Sequence, residues 1–174
     1  MKKLLLFLTC LVSATLLADV DSFAGIKFRS EISDKARLNK EGTAYFRYQK
    51  LETNYFNQGT AFIRATPDTK EIFDISFMNI TKVKGEENDK KPDFETLKAA
   101  YDNAVAEIEK LTGKKMVETA INKKKIKEGS RIGRTSKVVV GDIEFSVFLN
   151  VGRKKVSVRA TDLVLKKKCG AKDE

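Results

Sequence analysis

The chain has 174 residues, 34 Lys and Arg against 24 Asp and Glu, and neither His nor Trp, for a net charge of +10. Without histidine, serine–histidine and cysteine–histidine catalysis is excluded, and so are most zinc sites, which draw on imidazole. Two cysteines, Cys10 and Cys169, are too few for a disulfide framework, so stability has to come from the packing of one core.

Residues 1–24 read as a cleaved signal peptide. Met1-Lys2-Lys3 is a basic start, residues 4–17 are mostly apolar, and Ser22-Phe23-Ala24 offers small residues at both positions a signal peptidase inspects. The cut is predicted after Ala24, with Ala18 as the second choice. The apolar run is shorter than the roughly 20 residues that cross a bilayer, and no later stretch is long and apolar enough. Lys2 and Lys3 balance Asp19 and Asp21, so the remaining chain keeps the +10 charge, and its one cysteine is Cys169. The expected location is periplasmic or extracellular.

Residues 25–42 are polar, with Ile26 and Phe28 alternating; they are expected as an N-terminal arm or an edge strand. A single domain is expected over 43–165. Its first strand, 43–49, carries Tyr45, Phe46 and Tyr48, which suit a pleated surface. Asn57-Gln58-Gly59 is a turn signal. Residues 60–66 alternate, with Ala61, Ile63 and Ala65 on one face and Phe62 and Arg64 on the other. Pro67 pre-sets a turn at 66–69. The strand 71–83 puts Phe73, Ile75 and Phe77 on an apolar face and Asp74 and Ser76 on a polar one. Residues 84–91 are a polar surface loop.

The 93–113 stretch is the clearest element. Phe94, Leu97, Tyr101, Ala104, Val105, Ile108 and Leu111 recur at three- and four-residue steps, which places them on one side of a helix. Asp93 can cap its start, Glu95 suits the positive first turn, and Gly113 can take the left-handed closing conformation. In residues 114–128, Met116, Val117, Ala120 and Ile121 fit a short helix, while the alternation of the 116–121 run fits a strand, which is the reading preferred. Lys123, Lys124, Lys125 and Lys127 then mark a basic loop, followed by Arg131 and Arg134 between glycines. The last third is a meander. Val138, Val139 and Val140 lead into the hairpin turn Gly141-Asp142. Ile143, Phe145, Val147 and Leu149 alternate with Glu144, Ser146, Phe148 and Asn150. Arg153, Lys154 and Lys155 turn the chain, and Val156, Val158 and Ala160 alternate with Ser157, Arg159 and Thr161. Leu163, Val164 and Leu165 extend or end this strand, and residues 166–174 are a charged tail.

Short turns between strands make them antiparallel. The fold class expected is therefore α+β: an antiparallel sheet of two β-meanders with one long amphipathic helix, about residues 93–112, packed on one face, in the order βββ-α-(β)-βββ. No motif carries a family resemblance.

Basic residues are the strongest compositional signal. Lys123, Lys124, Lys125, Lys127, Arg131, Arg134, Arg153, Lys154 and Lys155 are candidate anion-binding residues, since such a surface attracts polyanions. The partners this implies are an anionic polymer, a lipid head group or a protein of the cell envelope. Phe148 and Arg159 share a strand-face parity that would make an aromatic and cationic surface. Cys169, beside Lys166, Lys167 and Lys168, is a candidate free thiol on the tail. No cofactor, metal or catalytic residue is expected. The first functional expectation is an exported, non-enzymatic binding or structural domain. The alternative is a cell-envelope hydrolase using a carboxylate pair drawn from Asp74, Asp142, Glu144 and Asp162; such a pair has to lie within about 5–10 Å, and the sequence brings no two of them together. A pocket lined by two or more of these would favour the hydrolase, and a shallow polar surface the binding domain.

Overall fold

The computed structural model describes residues 20–32, 39–41, 44–81, 92–119 and 132–170. A two-stranded hairpin comes first, β1 (Ser22–Phe23) and β2 (Ile26–Lys27). Four strands follow: β3 (Asn39–Glu41), β4 (Ala44–Tyr55), β5 (Gln58–Ala65) and β6 (Ile72–Met78). After the helix α1 (Phe94–Thr112) come β7 (Val117–Thr119), β8 (Ile132–Val140), β9 (Ile143–Asn150), β10 (Lys155–Asp162) and the short helix α2 (Leu163–Lys168). Strands β3 to β10 form one antiparallel sheet in the order β3-β4-β5-β6-β10-β9-β8-β7. Each half of the sheet is a meander running from an edge inward, and the halves meet where β6 pairs β10, with Phe77 opposite Val158 and Ile75 opposite Ala160.

One face of this sheet is apolar by alternation: Ile63, Ile75, Phe77, Phe145, Val147, Leu149, Val156 and Val158 are all buried on it. Helix α1 lies over its β9–β10 part. Asp93 caps the helix by accepting from the Thr96 N–H (2.8 Å), and Gly113, at φ 66°, ends it with its N–H on the Glu109 carbonyl (2.9 Å). Leu97, Tyr101, Ala104 and Ile108 are buried and Val105 packs beside them, whereas Phe94 and Leu111, at the two ends of the expected stripe, stay exposed. The one polar atom this stripe buries, the Tyr101 hydroxyl, meets the Ser136 hydroxyl at 2.6 Å.

The N-terminal segment covers the rest of the face. Residues 25–42 were expected as an arm or an edge strand; residues 39–41 form β3 at the sheet's edge, and residues 20–32 form a strap across the core. Phe23, 3% exposed, stands edge-on to Phe77 and Phe145 at 5.7 and 5.4 Å between centroids. Ile26, Phe28 and Ile32 are buried with it. Backbone bonds stitch the strap to the start of β6: Arg29 N–H to the Ile72 carbonyl, Ile72 N–H to that of Ser30, and Ile32 N–H to that of Lys70, each 2.9 Å.

Three expectations are corrected. Phe73 leaves the face of Ile75 and Phe77. The pairing slips between Arg64 and Ala65, so that Ala65 opposes Ile72 while Arg64 opposes Asp74. The extra residue is a bulge, which turns Phe73 to the same side as Asp74. There it packs with Ala44 and Leu165 in a small second cluster. Leu163, Val164 and Leu165 do not extend β10; they begin α2, because the buried Asp162 carboxylate caps it by accepting from the N–H groups of Val164 (2.9 Å) and Leu165 (3.0 Å). Cys169 is not on a frayed tail either: its thiol donates to the Leu165 carbonyl (3.1 Å) and it packs, half-buried, against the second cluster.

Candidate functional site

Helix α1 and the strap occupy one face of the sheet, and α2 covers one end of the other. Beyond α2 this second face is a concave surface with a volume of about 460 Å³. The register sets its composition. One row across the strands reads Phe46, Arg64, Asp74, Thr161, Glu144; the next reads Tyr48, Phe62, Ser76, Arg159, Ser146. These are the wet positions of β4, β5, β6, β10 and β9, and they gather cations and rings side by side.

Asp74 is the centre of the floor. It is 1% exposed and has three donors: the Arg159 Nε, the Arg64 Nε (3.4 Å) and the Thr161 hydroxyl (2.8 Å). Burial pushes its carboxyl up, to about 6, against the pull of the Arg64 charge, the Thr161 and Arg64 hydrogen bonds, and the charge of Lys166 on α2. The Arg64 guanidinium also lies 5.5 Å above the Phe73 ring, so the bulge that displaced Phe73 gives this cation a flat support. Both guanidiniums direct Nε at Asp74, and among the described residues neither places an Nη on an acceptor. The walls are aromatic. Phe46 and Tyr48 each stand 5.3 Å from Phe62, Tyr48 is 65% exposed, and Phe148 lines the opposite side. The shared placement of Phe148 and Arg159 is thus observed. Lys155 and Asn150, paired across β10 and β9, lie at the end nearest the 151–154 turn.

The four carboxylates considered for hydrolysis are engaged elsewhere or singly. Asp142 and Asp162 do come together, but on the Arg29 guanidinium, with 2.6 Å to each. The two carboxylates raise the Arg29 pKa further, and Asp162 is fully buried while it also caps α2. This is a clasp between the strap and the sheet's end. Glu144 holds Lys137 at 3.0 Å. Of the four, only Asp74 lines the concave surface. Among the described residues no three Cys, Asp or Glu side chains converge as metal ligands.

Of the sequence-derived anion-binding residues, Lys123, Lys124, Lys125, Lys127 and Arg131 lie outside the described residues. Arg134 lies 3.7 Å from Glu118, and its charge acts on Tyr101, which packs against the helix side of the sheet. Arg153 and Lys154 are exposed in the β9–β10 turn, and of the described members of the set Lys155 alone lines the concave face. Sequence reasoning passed over Arg64, Phe46, Tyr48 and Phe62 as site residues. Their signal was the alternation itself, aromatic and cationic side chains repeating on the wet parity of successive strands. No protein-family model matches this chain, and neither does any curated protein or solved structure.

Proposed function

We propose that this chain is a non-enzymatic binding domain that takes an anionic partner on the open face of its sheet. The observation that carries the reading is the trio Arg64–Asp74–Arg159: two guanidiniums fixed by one buried carboxylate, their Nη groups meeting no acceptor among the described residues, on a concave floor between aromatic walls. Donors already held in place bind an anion with little further loss of side-chain entropy. Lys155 adds a further positive charge at one end. A hydrolase would need a second free carboxylate beside Asp74; Glu144, two strands away on the same face, is held by Lys137 and does not line the concavity.

Export belongs to the same proposal and rests on the leader-like pattern of residues 1–24. The burial of Phe23 favours the second of the two cleavage positions, after Ala18, because a cut after Ala24 would remove a core side chain.

A titration followed by amide and arginine Nε resonances tests the binding site, using poly-glutamate, a heparin fragment and anionic vesicles as probes. Shifts concentrated on β4, β5, β6 and β10, and lost in Arg159→Ala, support it. Shifts confined to the 151–154 turn, or none with any probe, overturn it.

A further inference from the structure

We propose that the open face is built for a small amphipathic organic anion: one carboxylate-like or phosphate-like head on Arg64 and Arg159, and an apolar body against the rings. This rests on the reading of that face as an anion site and narrows it to a ligand class.

Size comes first. The concavity of about 460 Å³ lies in the range of small-molecule sites, about 300–1,000 Å³, and is small for a folded partner or a polymer chain. Its chemistry is divided. Phe46, Phe62 and Tyr48 form a continuous aromatic wall on β4 and β5, with Phe148 across from them on β9. The guanidiniums stand between these walls, Arg64 on β5 and Arg159 on β10. A polyanion would make little use of the rings, and a neutral lipid would leave the guanidinium Nη groups unpaired. A molecule with one charged head and an apolar body satisfies both.

Charge sets the head. Arg64 and Arg159 with ionised Asp74 carry one net positive charge, the complement of a single anionic group; Lys155 stands apart at the far end. Asp74 acts as a positioning residue. By engaging Nε of both arginines it holds their planes on the floor and leaves the Nη edges for the ligand.

The same geometry gives the site a pH dependence. The charged and titratable groups facing Asp74 are Arg64 from β5, Arg159 from β10 and Lys166 from α2, with the Thr161 hydroxyl beside them. Protonation of Asp74, whose carboxyl sits at about 6, raises the floor's charge by one, and affinity for an anionic head rises as pH falls through that value.

Calorimetric and resonance titrations of the folded protein with decanoate and decyl phosphate test this, with decanol, acetate and inorganic phosphate as controls. Saturable one-to-one binding of at least one of the two amphiphiles is expected, with decanol and the short anions weaker by about tenfold or more. Whichever amphiphile binds tighter identifies the head. Arg159→Ala should weaken the amphiphile by about tenfold or more. Tyr48→Ala removes a ring that is already 65% exposed, so the fold does not depend on it, and it should weaken decanoate while leaving inorganic phosphate unchanged. Decanol binding as tightly as decanoate would overturn the role of the arginines. No amphiphile binding while poly-glutamate still shifts the open face would overturn this inference and leave the broader one standing. No response from any anion would overturn both.

Discussion

Asp74 shows how much one side chain decides here. A carboxylate with almost no exposure, between Ile72–Phe73 and Ile75, is held by two arginines and a threonine from neighbouring strands. Its pKa is raised by burial, so its effect on stability has a definite sign. Between its unfolded value near 4 and its folded value of about 6, the folded chain holds more protons than the unfolded one. Its contribution is therefore fully present below about 4 and is lost as pH rises through about 6, by about 2–3 kcal/mol in all. Urea unfolding of the wild type and Asp74→Asn from pH 4 to 7 measures this. The wild type should gain on the variant as pH falls, and a difference that stays flat would contradict the placement of Asp74. In the sequence, Asp74 read as a carboxylate on the polar face of a strand and as one of four candidates for a catalytic pair, not as a buried partner of two arginines. Its partners lie 10, 85 and 87 residues away, and only register brings them together.

Among the elements, those governed by local pattern were the most legible. The alternation of β9 and β10 and the stripe of α1 are written in neighbouring residues, and Asp93 and Gly113 mark the helix ends as capping chemistry requires. The bulge in β6 was hidden because nothing in Ile72-Phe73-Asp74 states that Ala65 will oppose Ile72. Helix α2 was hidden because Leu163-Val164-Leu165 reads equally as strand. Its signal was Asp162 followed by three lysines, a capping residue before a positively charged last turn. Helix α1 gives the packing prediction. Leu97 and Ile108 are almost fully buried against the sheet, so Leu97→Ala or Ile108→Ala should each cost about 2–5 kcal/mol in denaturant unfolding. A cost below about 0.5 kcal/mol is what truncation at an exposed site gives, with no cavity left behind, and would remove α1 from the core.

At the scale of the molecule, two meanders meeting at β6 and β10 make a broad sheet with one face to fill and one face to spare. Helix α1 fills part of the first face, and the strap of residues 20–32 completes it. In the sequence Ser22 and Ala24 flank Phe23 as cleavage-site residues do, while the same phenylalanine packs against three other rings. If the chain is exported as proposed, mass spectrometry of the mature protein should find its start at Asp19. A start at Gly25 would show that the fold does without Phe23. In the full-length chain, Phe23→Ala should cost about 3–5 kcal/mol, which separates the role of the ring from the position of the cut.

The spare face is the central claim, and it competes with a simpler idea, that the basic composition attracts anions through whatever cations are most exposed. One measurement separates them: the affinity of a single anionic amphiphile, decanoate, for three proteins at about 0.15 M salt, where exposed charges are screened beyond about 8 Å. These are the wild type, R159A, and the turn variant R153S/K154S, whose two side chains are exposed outside the concave surface. If the Arg64–Asp74–Arg159 floor is the site, R159A loses about tenfold or more and R153S/K154S stays within about twofold of the wild type. If R153S/K154S loses affinity and R159A keeps it, the anion is held at the turn and the open face is not the binding site.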